Sequence, residues 1–382
     1  MFELEKMRKL ADSYKKPIIS TLGSHSALDI CEGAKREGFS TLVLCKKGRE
    51  RVYAEYYKTR KEGKGEIGVV DEAMVFGDFK EIVKTETVKL LQKRQAIFVP
   101  HRSFSVYVGY DAIENEFEVP IFGNRHLLKA EERNTPKNQD WLLKEAGIAV
   151  PKKFKNAGEI DRLAIVKAPQ AKRTYERAFF FASNEIEYRH NAQTKIAEGI
   201  ATKEGIENAL IEEVVLGAHY NFNFFYSPLE KRLELLGTDM RRQTNLDGIL
   251  RLPAIQQEEI GAGRAGAGVQ VSNVEVGHVA CTIRESLLEK VFEEGKKFVK
   301  ACGKHYSPGL IGPFALQGAV VPKENSEEIV IFDVSFRVPG SPGVRFTPYT
   351  GYLFGESISV GRRIAMEVKK AKKEGRMDEI VT

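Results

Sequence analysis

The stretch that decides the fold of the first third of the chain is "PIISTLGSHSALDICEGAKREGFSTLVLC", residues 17–45. It begins with a short apolar run, passes through the turn "LGSHS" and continues with a helical pattern that Gly38 ends. A second apolar run, "STLVLC", follows directly. A strand, a helix and a strand in this order predict a β-α-β unit, whose two strands lie parallel in one sheet.

The next segment repeats this pattern. Residues 77–100 predict a helix and then the strand "AIFVP", which ends in a polar tip at His101–Ser103. Ligands of open parallel sheets bind beyond the carboxyl ends of the strands. The turn "LGSHS" and the tip at His101–Ser103 both follow strands, so the sequence predicts a binding site along this edge.

The rest of the chain predicts two further modules that mix helices and strands. In the last module, a long amphipathic helix over 281–302 precedes two strands, at 312–321 and 327–338. The Gly/Ala-rich segment 261–270 predicts a loop. Such a loop is uncommon inside a compact domain unless it covers another group. The predicted fold is therefore α/β and α+β, in three parts: an N-terminal α/β domain at 1–150, a small subdomain at 151–230 and a large subdomain at 231–382.

Composition bounds the class of protein. The chain has 382 residues, of which 42% are hydrophobic and 29% charged, as expected for a globular protein with more than one core. It has no apolar run near the roughly 20 residues of a membrane helix, and its N-terminus lacks a signal peptide's apolar segment. Four scattered cysteines without a C-x-x-C pair predict reduced thiols in the cytoplasm. The net charge of +6 suits anionic small molecules, and no signature predicts nucleic acid or a membrane as a partner.

A second informative stretch is "IVIFDVSFRVPGSPG", residues 329–343. Asp333, Ser335 and Arg337 are spaced two apart, and alternate residues of a strand point to the same side. An acid, a hydroxyl and a guanidinium on one face predict one wall of a metal–phosphate site.

Two earlier stretches carry weaker signals of the same kind. In "IVKAPQAK", Lys167 ends a strand and Lys172 follows in the loop, a placement that suits a phosphate but also fits a solvated lysine. In "ALIEEVVLG", Glu212 and Glu213 interrupt an apolar strand before Gly217. Such a segment can present backbone groups to an adenine ring, or be an ordinary edge strand.

The order of these features resembles the layout of ATP-grasp ligases, in which two α+β modules clamp a nucleotide. The chain further resembles the archaeal PurP family over nearly everything from Lys16 to about Lys370. The motifs that carry this resemblance are "ISTLGSHSALDICEGAKREGF", "VPHRSF", "PIFGNRHLL", "LLKEAGIAVPK", "TNLDGILRLPA", "GHVACTIRESLLEKVFEEGKKFV", "GLIGPFALQ" and "GESISVGRRIA".

The resemblance implies a formate-dependent ligase of purine (IMP) biosynthesis. Members of the family use ATP to convert formate into formyl phosphate. The amine of AICAR (aminoimidazole carboxamide ribonucleotide) then attacks it and gives FAICAR, ADP and phosphate. The implied ligands are AICAR, formate, ATP and Mg²⁺, with Mn²⁺ as an alternative metal, and the implied assembly is a homo-oligomer.

The resemblance also implies roles for individual residues. His25, Ser103 and Asn245 correspond to residues that hold AICAR, with Arg241 or Arg242 near its phosphate. The implied ATP contacts are Lys167, Lys172, Glu212, Glu213, Val215 and His219. Asp333 and Gln317 stand at the metal positions, and Lys167 and Arg337 would neutralise the transferred phosphoryl group. Each has a plainer alternative, such as a turn histidine, a capping serine or a loop asparagine.

The sequence departs from the family pattern at the catalytic centre. The glycines of the phosphate-covering loop are replaced by Gln170, Arg173 and residues within 174–176, which predicts a stiffer loop or one that binds phosphate through arginines. A metal-site glutamate is Gln317, and an asparagine is Pro342. Because Mg²⁺ prefers charged oxygen ligands, these changes predict weaker binding of the metal alone.

A third departure places Arg102 beside the nucleotide pocket, in "HRS" where the family has "HGS". The leading interpretation is a FAICAR-forming ligase. The alternatives are a diverged homologue that binds a purine nucleotide with lost or changed ligase activity, alone or as the partner of an active subunit, and a ligase for another amine or carboxylate.

Overall fold

The structure is a computed structural model that describes residues 4–132, 135–169, 171, 177–244, 252–261 and 273–382. Three sheets of four, four and five strands form its framework, together with a separate two-stranded ribbon. In the described ranges, none of the helices combines the length and the apolarity needed to cross a bilayer.

The first sheet is parallel, as the sequence predicts. Its strands lie in the order β5-β2-β1-β6, while β3 and β4 pair separately as an antiparallel ribbon. Both β1 and β2 are almost fully buried along their length, as expected for a sheet covered on both faces. The strands are β1 (Ile18–Leu22), β2 (Thr41–Lys46), β3 (Arg60–Glu62), β4 (Gly65–Ile67), β5 (Glu72–Phe76) and β6 (Ala96–Phe98).

Short helices surround this sheet and lead to the second one. They are α1 (Leu4–Ser13), α2 (Ala27–Arg36), α3 (Thr85–Lys93), α4 (Arg102–Val108), α5 (Tyr110–Asn115), α6 (Arg125–Lys129) and α7 (Gln139–Glu145). Two of them begin with an asparagine cap, because the side chains of Asn124 and Asn138 accept the N–H groups of His126 and Trp141.

The second sheet is antiparallel, with strand order β7-β10-β8-β9. Helix α8 lies beside it and begins at a cap in which the Asn184 side chain accepts the Glu187 N–H. The elements of this unit are β7 (Lys153–Phe154), β8 (Ala164–Pro169), β9 (Arg177–Ala182), α8 (Glu185–Ala197), α9 (Lys203–Glu207) and β10 (Leu210–Glu213).

The third sheet is antiparallel and has the order β13-β12-β11-β14-β15. Helix α11 covers one face of it with an apolar stripe that includes Val291 and Phe298. The elements are β11 (Ala218–Ser227), β12 (Arg232–Thr244), α10 (Ala254–Gly261), β13 (Asn273–Cys281), α11 (Leu288–His305), β14 (Gly312–Lys323), β15 (Ser326–Ser335), α12 (Tyr349–Phe354) and α13 (Val360–Glu374).

Two features of this sheet bear on the sequence predictions. The helix predicted over 281–302 begins later, at Leu288, because Cys281 pairs with Thr238 as the end of β13. Strand β11 pairs with β12 and β14, although the sequence placed it in the 151–230 subdomain. The three-part division itself stays a prediction, and the segment 262–270 lies outside the described residues.

Helices α2 and α13 join the first unit to the third. A Cβ added at Gly33 would lie 2.0 Å from the backbone nitrogen of Arg362, and one added at Gly361 would lie 2.1 Å from the Asp29 carbonyl oxygen. The two helix backbones therefore touch at these glycines. The Asp29 carboxylate also accepts the Gly361 N–H at 2.9 Å, so the contact is tied by a hydrogen bond between units.

Candidate active site

A cavity of about 1860 Å³ lies among the three sheets. The first unit contributes His25 and Arg102, and the second contributes Lys167 and Glu212. The remaining residues with sequence-predicted roles on its wall are Glu213, Val215, His219, Arg241, Gln317, Asp333 and Arg337. Asn245 and Lys172, which the sequence also predicts to bind ligands, lie outside the described residues.

On the wall formed by the second sheet, Lys167 and Glu212 form an ion pair between β8 and β10. Glu212 is 2% exposed, so a bare carboxylate there would be costly without this partner. Glu213 instead accepts the Lys152 N–H at 3.0 Å and Arg162 Nη1 at 3.2 Å. Both glutamates are therefore held by protein groups.

His219 and Val215 lie at the junction between the second and third sheets. The His219 ring packs against Phe332 with 5.4 Å between centroids, and both line the cavity. Val215 lies between β10 and β11 on the same wall. The structure brings these residues to the cavity, and their roles toward a ribose and an adenine stay predictions.

The predicted metal pair occupies neighbouring strands. Gln317 on β14 is directly opposite Asp333 on β15. The amide oxygen of Gln317 accepts a hydrogen bond from Arg241, and its Nε2 donates to Ser335 Oγ at 3.1 Å. Gln317 is thus engaged by protein groups on both sides of its amide.

This donor set does not build a closed metal site. Among the described residues, no group of three or more His, Cys, Asp or Glu side chains could hold a metal ion. Asp333 supplies one carboxylate, whereas Mg²⁺ takes about six oxygen ligands and often receives several from substrate phosphates. The arrangement fits an ion that arrives with a nucleotide rather than one held by the protein alone.

Arg337 belongs to a buried ionic cluster that the sequence did not predict. Its Nε lies 3.2 Å from Glu131 Oε1, and its Nη2 donates to Glu131 Oε2 at 3.3 Å. Arg102 Nη1 donates to the same Oε2 at 3.2 Å, and the Phe336 N–H donates to Oε1 at 2.8 Å. One carboxylate, 8% exposed, therefore holds two guanidinium groups at the cavity wall.

Burial and the nearby carboxylates act in opposite directions on the two arginines of this cluster. Burial lowers the pKa of Arg337 from its ordinary value, and the nearby Glu131 carboxylate opposes that effect. For Arg102, burial also lowers the pKa, but the combined effect of Glu131, Tyr110, Glu132 and Asp333 outweighs burial and raises the pKa above its ordinary value. Glu132 also lies 3.5 Å from Arg102 Nη1, so the carboxylates of this cluster balance its two guanidinium groups.

At the first sheet, His25 lies in the turn between β1 and α2. Its φ is +49°, a left-handed conformation that a non-glycine residue adopts only at a cost. Its Nδ1 lies 2.9 Å from Ser26 Oγ, which donates to the Pro339 carbonyl at 2.6 Å. This link between residues 26 and 339 fixes the turn against the strand end that carries Arg337.

Ser103 lies behind this turn rather than on the cavity wall. It is buried, and its Oγ donates to Ser24 Oγ at 2.9 Å. The neighbouring His101 stacks on His25 with 5.6 Å between ring centroids. Burial lowers the pKa of His101 to about 4, although its contact with the Leu22 carbonyl opposes that shift, so this ring is neutral near pH 7.

A second polar cluster that the sequence did not predict surrounds Asp239 on β12. This carboxylate is 1% exposed and contacts His278 Nδ1 at 2.5 Å. It also accepts from Asn221 Nδ2 at 2.7 Å and from Asn223 Nδ2 at 2.6 Å. The acid in "GTDM" and the histidine in "GHVA" are visible in the sequence, but only strand pairing brings them together.

Comparison with known proteins agrees with the geometry. Two family models match, a protein of unknown function (DUF1246) at residues 19–154 and a domain of unknown function (DUF1297) at 187–382. A curated 5-formaminoimidazole-4-carboxamide-1-(beta)-D-ribofuranosyl 5'-monophosphate synthetase from Methanopyrus kandleri is 40% identical, over 95% of this chain and 94% of its own. The chain belongs to this synthetase family.

Solved structures place the synthetase fold among the ATP-grasp enzymes, as the sequence predicts. The crystal structure of an IMP biosynthesis protein PurP from Thermococcus kodakaraensis matches with a TM-score of 0.67 and 29% identity, covering 96% of this chain and all of that one. An ADP complex of purK, N5-carboxyaminoimidazole ribonucleotide synthetase, matches with a TM-score of 0.55 and 12% identity, over 90% of this chain and 78% of its own. The second likeness shows the shared fold alone.

Proposed function

We propose that the chain is an ATP- and formate-dependent ligase that forms FAICAR from AICAR. Formate attacks the γ-phosphorus of ATP to give formyl phosphate and ADP, and the AICAR amine then displaces phosphate from the formyl carbon. The observation that carries the proposal is a cavity on which side chains from all three units converge, in a chain that aligns almost end to end with a synthetase of this name.

The size of the cavity supports two ligands at once. Its volume of about 1860 Å³ exceeds the roughly 300–1,000 Å³ that one small ligand usually occupies. We assign the end formed by the first sheet to AICAR, at His25. Ser103, behind the turn, and Asn245, outside the described residues, complete the proposed AICAR residues. We assign the opposite end to ATP, near the residues Lys167, Glu212, Glu213, Val215 and His219. Lys172, outside the described residues, is a further proposed ATP residue.

The polar groups between these ends suit phosphoryl transfer to a carboxylate. Formate and the triphosphate are both anions, so positive charge is needed before they can meet. Lys167 lies within β8, two residues before the strand ends at Pro169, and its pairing with Glu212 fixes the ammonium group at the wall. Arg337 is fixed on the other side by Glu131, and together the two cations would neutralise the transferred group.

Asp333, with Gln317 opposite it, would hold Mg²⁺, or Mn²⁺ in its place, together with the nucleotide phosphates. When bound there, the ion would offset charge on the phosphate oxygens. The protein side chains contribute position, because Arg241 and Ser335 fix the Gln317 amide beside the carboxylate.

We also propose the wider setting that the sequence predicts. It comprises the three domains at 1–150, 151–230 and 231–382, a cytoplasmic location and a homo-oligomer. Size-exclusion chromatography with light scattering tests the assembly, and a single-subunit mass would contradict it.

One observation favours a second candidate, a homologue that binds the nucleotide without turning it over. Asp333 is the lone carboxylate of the predicted metal pair, and Gln317 is engaged by Arg241. Under this alternative, AICAR and ATP bind in calorimetry but no formate-dependent reaction follows.

The test is an assay of ADP and FAICAR with AICAR, formate and ATP present in excess Mg²⁺, each substrate being omitted in turn. The proposal expects FAICAR only when all three are present, with about one ADP per FAICAR. Binding of AICAR without FAICAR formation would favour the second candidate.

A further inference from the structure

The turn that follows Arg337 holds the side chain of His25 through a chain of two hydrogen bonds. Ser26 Oγ donates its proton to the Pro339 carbonyl at 2.6 Å. A hydroxyl has one proton to donate, so Ser26 Oγ accepts at its contact with His25 Nδ1, 2.9 Å away, and Nδ1 carries a proton. The His25 ring belongs to the first unit and is thus tethered to the third unit at Pro339.

Gly340, the next residue of this turn, leaves room for the His25 ring. A Cβ added at Gly340 would lie 2.8 Å from His25 Cε1 and 2.9 Å from His25 Nε2, well inside the roughly 3.5–4.0 Å of an ordinary contact. The next nearest atom, His278 Nε2, would be farther away, at 3.3 Å. The φ of Gly340 lies outside the left-handed region, so an alanine could adopt this backbone and would conflict with the ring instead.

The orientation of the His25 ring is set from a third direction by His101. The two rings stack with 5.6 Å between centroids and 14° between planes, and His101 is itself buried, with its Nε2 2.8 Å from the Leu22 carbonyl. An added Cβ at Gly340 would displace the Cε1–Nε2 edge of His25, because a side chain rotates more readily than a backbone moves. Since His25 and Gly340 both line the cavity, this rotation would change which atoms face a ligand.

We propose that Gly340 is a positioning residue of the AICAR site that acts through His25, with Ser26 as the hydrogen-bonded anchor of the ring. This inference rests on the proposed function, which assigns His25 to AICAR. The glycine lets the edge of the ring lie against the turn, and Ser26 fixes its rotation through Nδ1. The turn that follows Arg337 therefore sets the geometry of the AICAR end as well.

The experiment measures the Kd of AICAR and, separately, the Kd of ATP by calorimetry, for wild type, Gly340→Ala and the control Gly343→Ala. We expect Gly340→Ala to raise the Kd of AICAR about tenfold, as for the loss of one hydrogen bond, and to change the Kd of ATP less than about twofold. The control lies in the same turn, where an added Cβ would make an ordinary contact with Ala280 Cβ at 3.8 Å. It should match wild type for both ligands.

A double-mutant cycle tests whether Gly340 acts through His25. His25→Ala should itself raise the Kd of AICAR, and adding Gly340→Ala in that background should change the Kd less than about twofold further, because the ring that the methyl group displaces is gone. Ser26→Ala is a second route to the same result. It should also raise the Kd of AICAR and lose its effect in the His25→Ala background, and it keeps the test open if Gly340→Ala does not fold.

Three results would overturn the proposal. One is a wild-type Kd of AICAR in Gly340→Ala or, if that variant does not fold, in Ser26→Ala. Another is an equal loss of AICAR and ATP binding, which would indicate a general structural defect. The third is an effect of Gly340→Ala that persists in full in the His25→Ala background, which would place its action at another residue such as His278.

Calorimetry also separates this inference from the proposed function. A wild-type protein that binds AICAR but makes no FAICAR would overturn the proposed function and leave the positioning role standing. A wild-type protein that does not bind AICAR would overturn both.

Discussion

At the scale of single residues, the site depends on buried charges that hold one another. Glu131 is the central carboxylate of this group, because it fixes Arg337 and Arg102 and also accepts the Phe336 N–H. Its neighbour Glu132 contacts Arg102 as well, at 3.5 Å, but is more exposed. The two glutamates therefore form a matched pair for testing what burial adds to an ion pair.

We predict that Glu131→Gln lowers the free energy of unfolding by roughly 3 kcal/mol, because two guanidinium groups at the cavity wall lose their counter-charge. The matched variant Glu132→Gln should cost less than about 1 kcal/mol. Urea unfolding of both variants measures the difference. Equal losses in the two variants would contradict the role assigned to Glu131.

A second prediction at this scale concerns pH. Burial raises the pKa of Asp29 to about 6, although the Gly361 N–H that it accepts opposes the shift. The folded state therefore holds this proton more tightly than the unfolded chain does. Lowering the pH through about 6 toward the ordinary value of 3.8 adds stability from this group, and raising the pH above 6 removes it.

Asp29→Asn keeps an oxygen for the Gly361 N–H but has no charge to bury. We expect this variant to be more stable than wild type at pH 8, by about 2 kcal/mol at most, and the gain to fall to roughly a third of that at pH 4.5. Chemical unfolding at both values checks this, with the exposed Asp111→Asn as control. A gain that is the same at both pH values would contradict the assignment.

At the scale of elements, the contact between α2 and α13 joins the first unit to the third through two glycines. We predict that Gly361→Ala lowers the free energy of unfolding by roughly 3 kcal/mol, because the added Cβ would lie 2.1 Å from the Asp29 carbonyl oxygen. The control is Gly303→Ala on α11, where an added Cβ meets nothing within 4 Å. This control should leave the free energy of unfolding unchanged or raise it by up to about 1 kcal/mol.

Thermal unfolding of the two glycine variants measures this contrast. A Gly361→Ala protein as stable as wild type would show that the two helices can move apart without a loss of stability. That result would contradict the close crossing.

Much of the secondary structure follows from the sequence, and the exceptions have physical causes. The apolar runs at β1 and β2 and the turn between them predict the parallel sheet, because hydrophobic pattern and turn chemistry are local. The predicted start of α11 is too early, because Cys281 ends β13 by pairing with β12 and Glu285–Leu287 form a 3-10 turn before the α-helix begins. Strand pairing is set by partners distant in the chain, which a local pattern does not reveal.

At the scale of the whole molecule, the candidate site is assembled from long-range contacts. Ser26 bonds to residue 339, Glu131 to Arg337 and Asp239 to His278. The sequence predicts the members that lie on recognisable motifs, such as His25 and Asp333. Glu131 lies outside the stretches singled out for their chemistry, and His278 precedes a predicted helix, so neither carried a local signal.

The proposed function requires one chemical order: formate is activated by phosphoryl transfer inside the cavity before the amine attacks. Isotope transfer from doubly ¹⁸O-labelled formate tests it most directly, by mass spectrometry of the products made with ATP and AICAR. We predict one ¹⁸O atom in the released phosphate and one in the formyl group of FAICAR. Phosphate without ¹⁸O, or no FAICAR in excess Mg²⁺, would contradict the account.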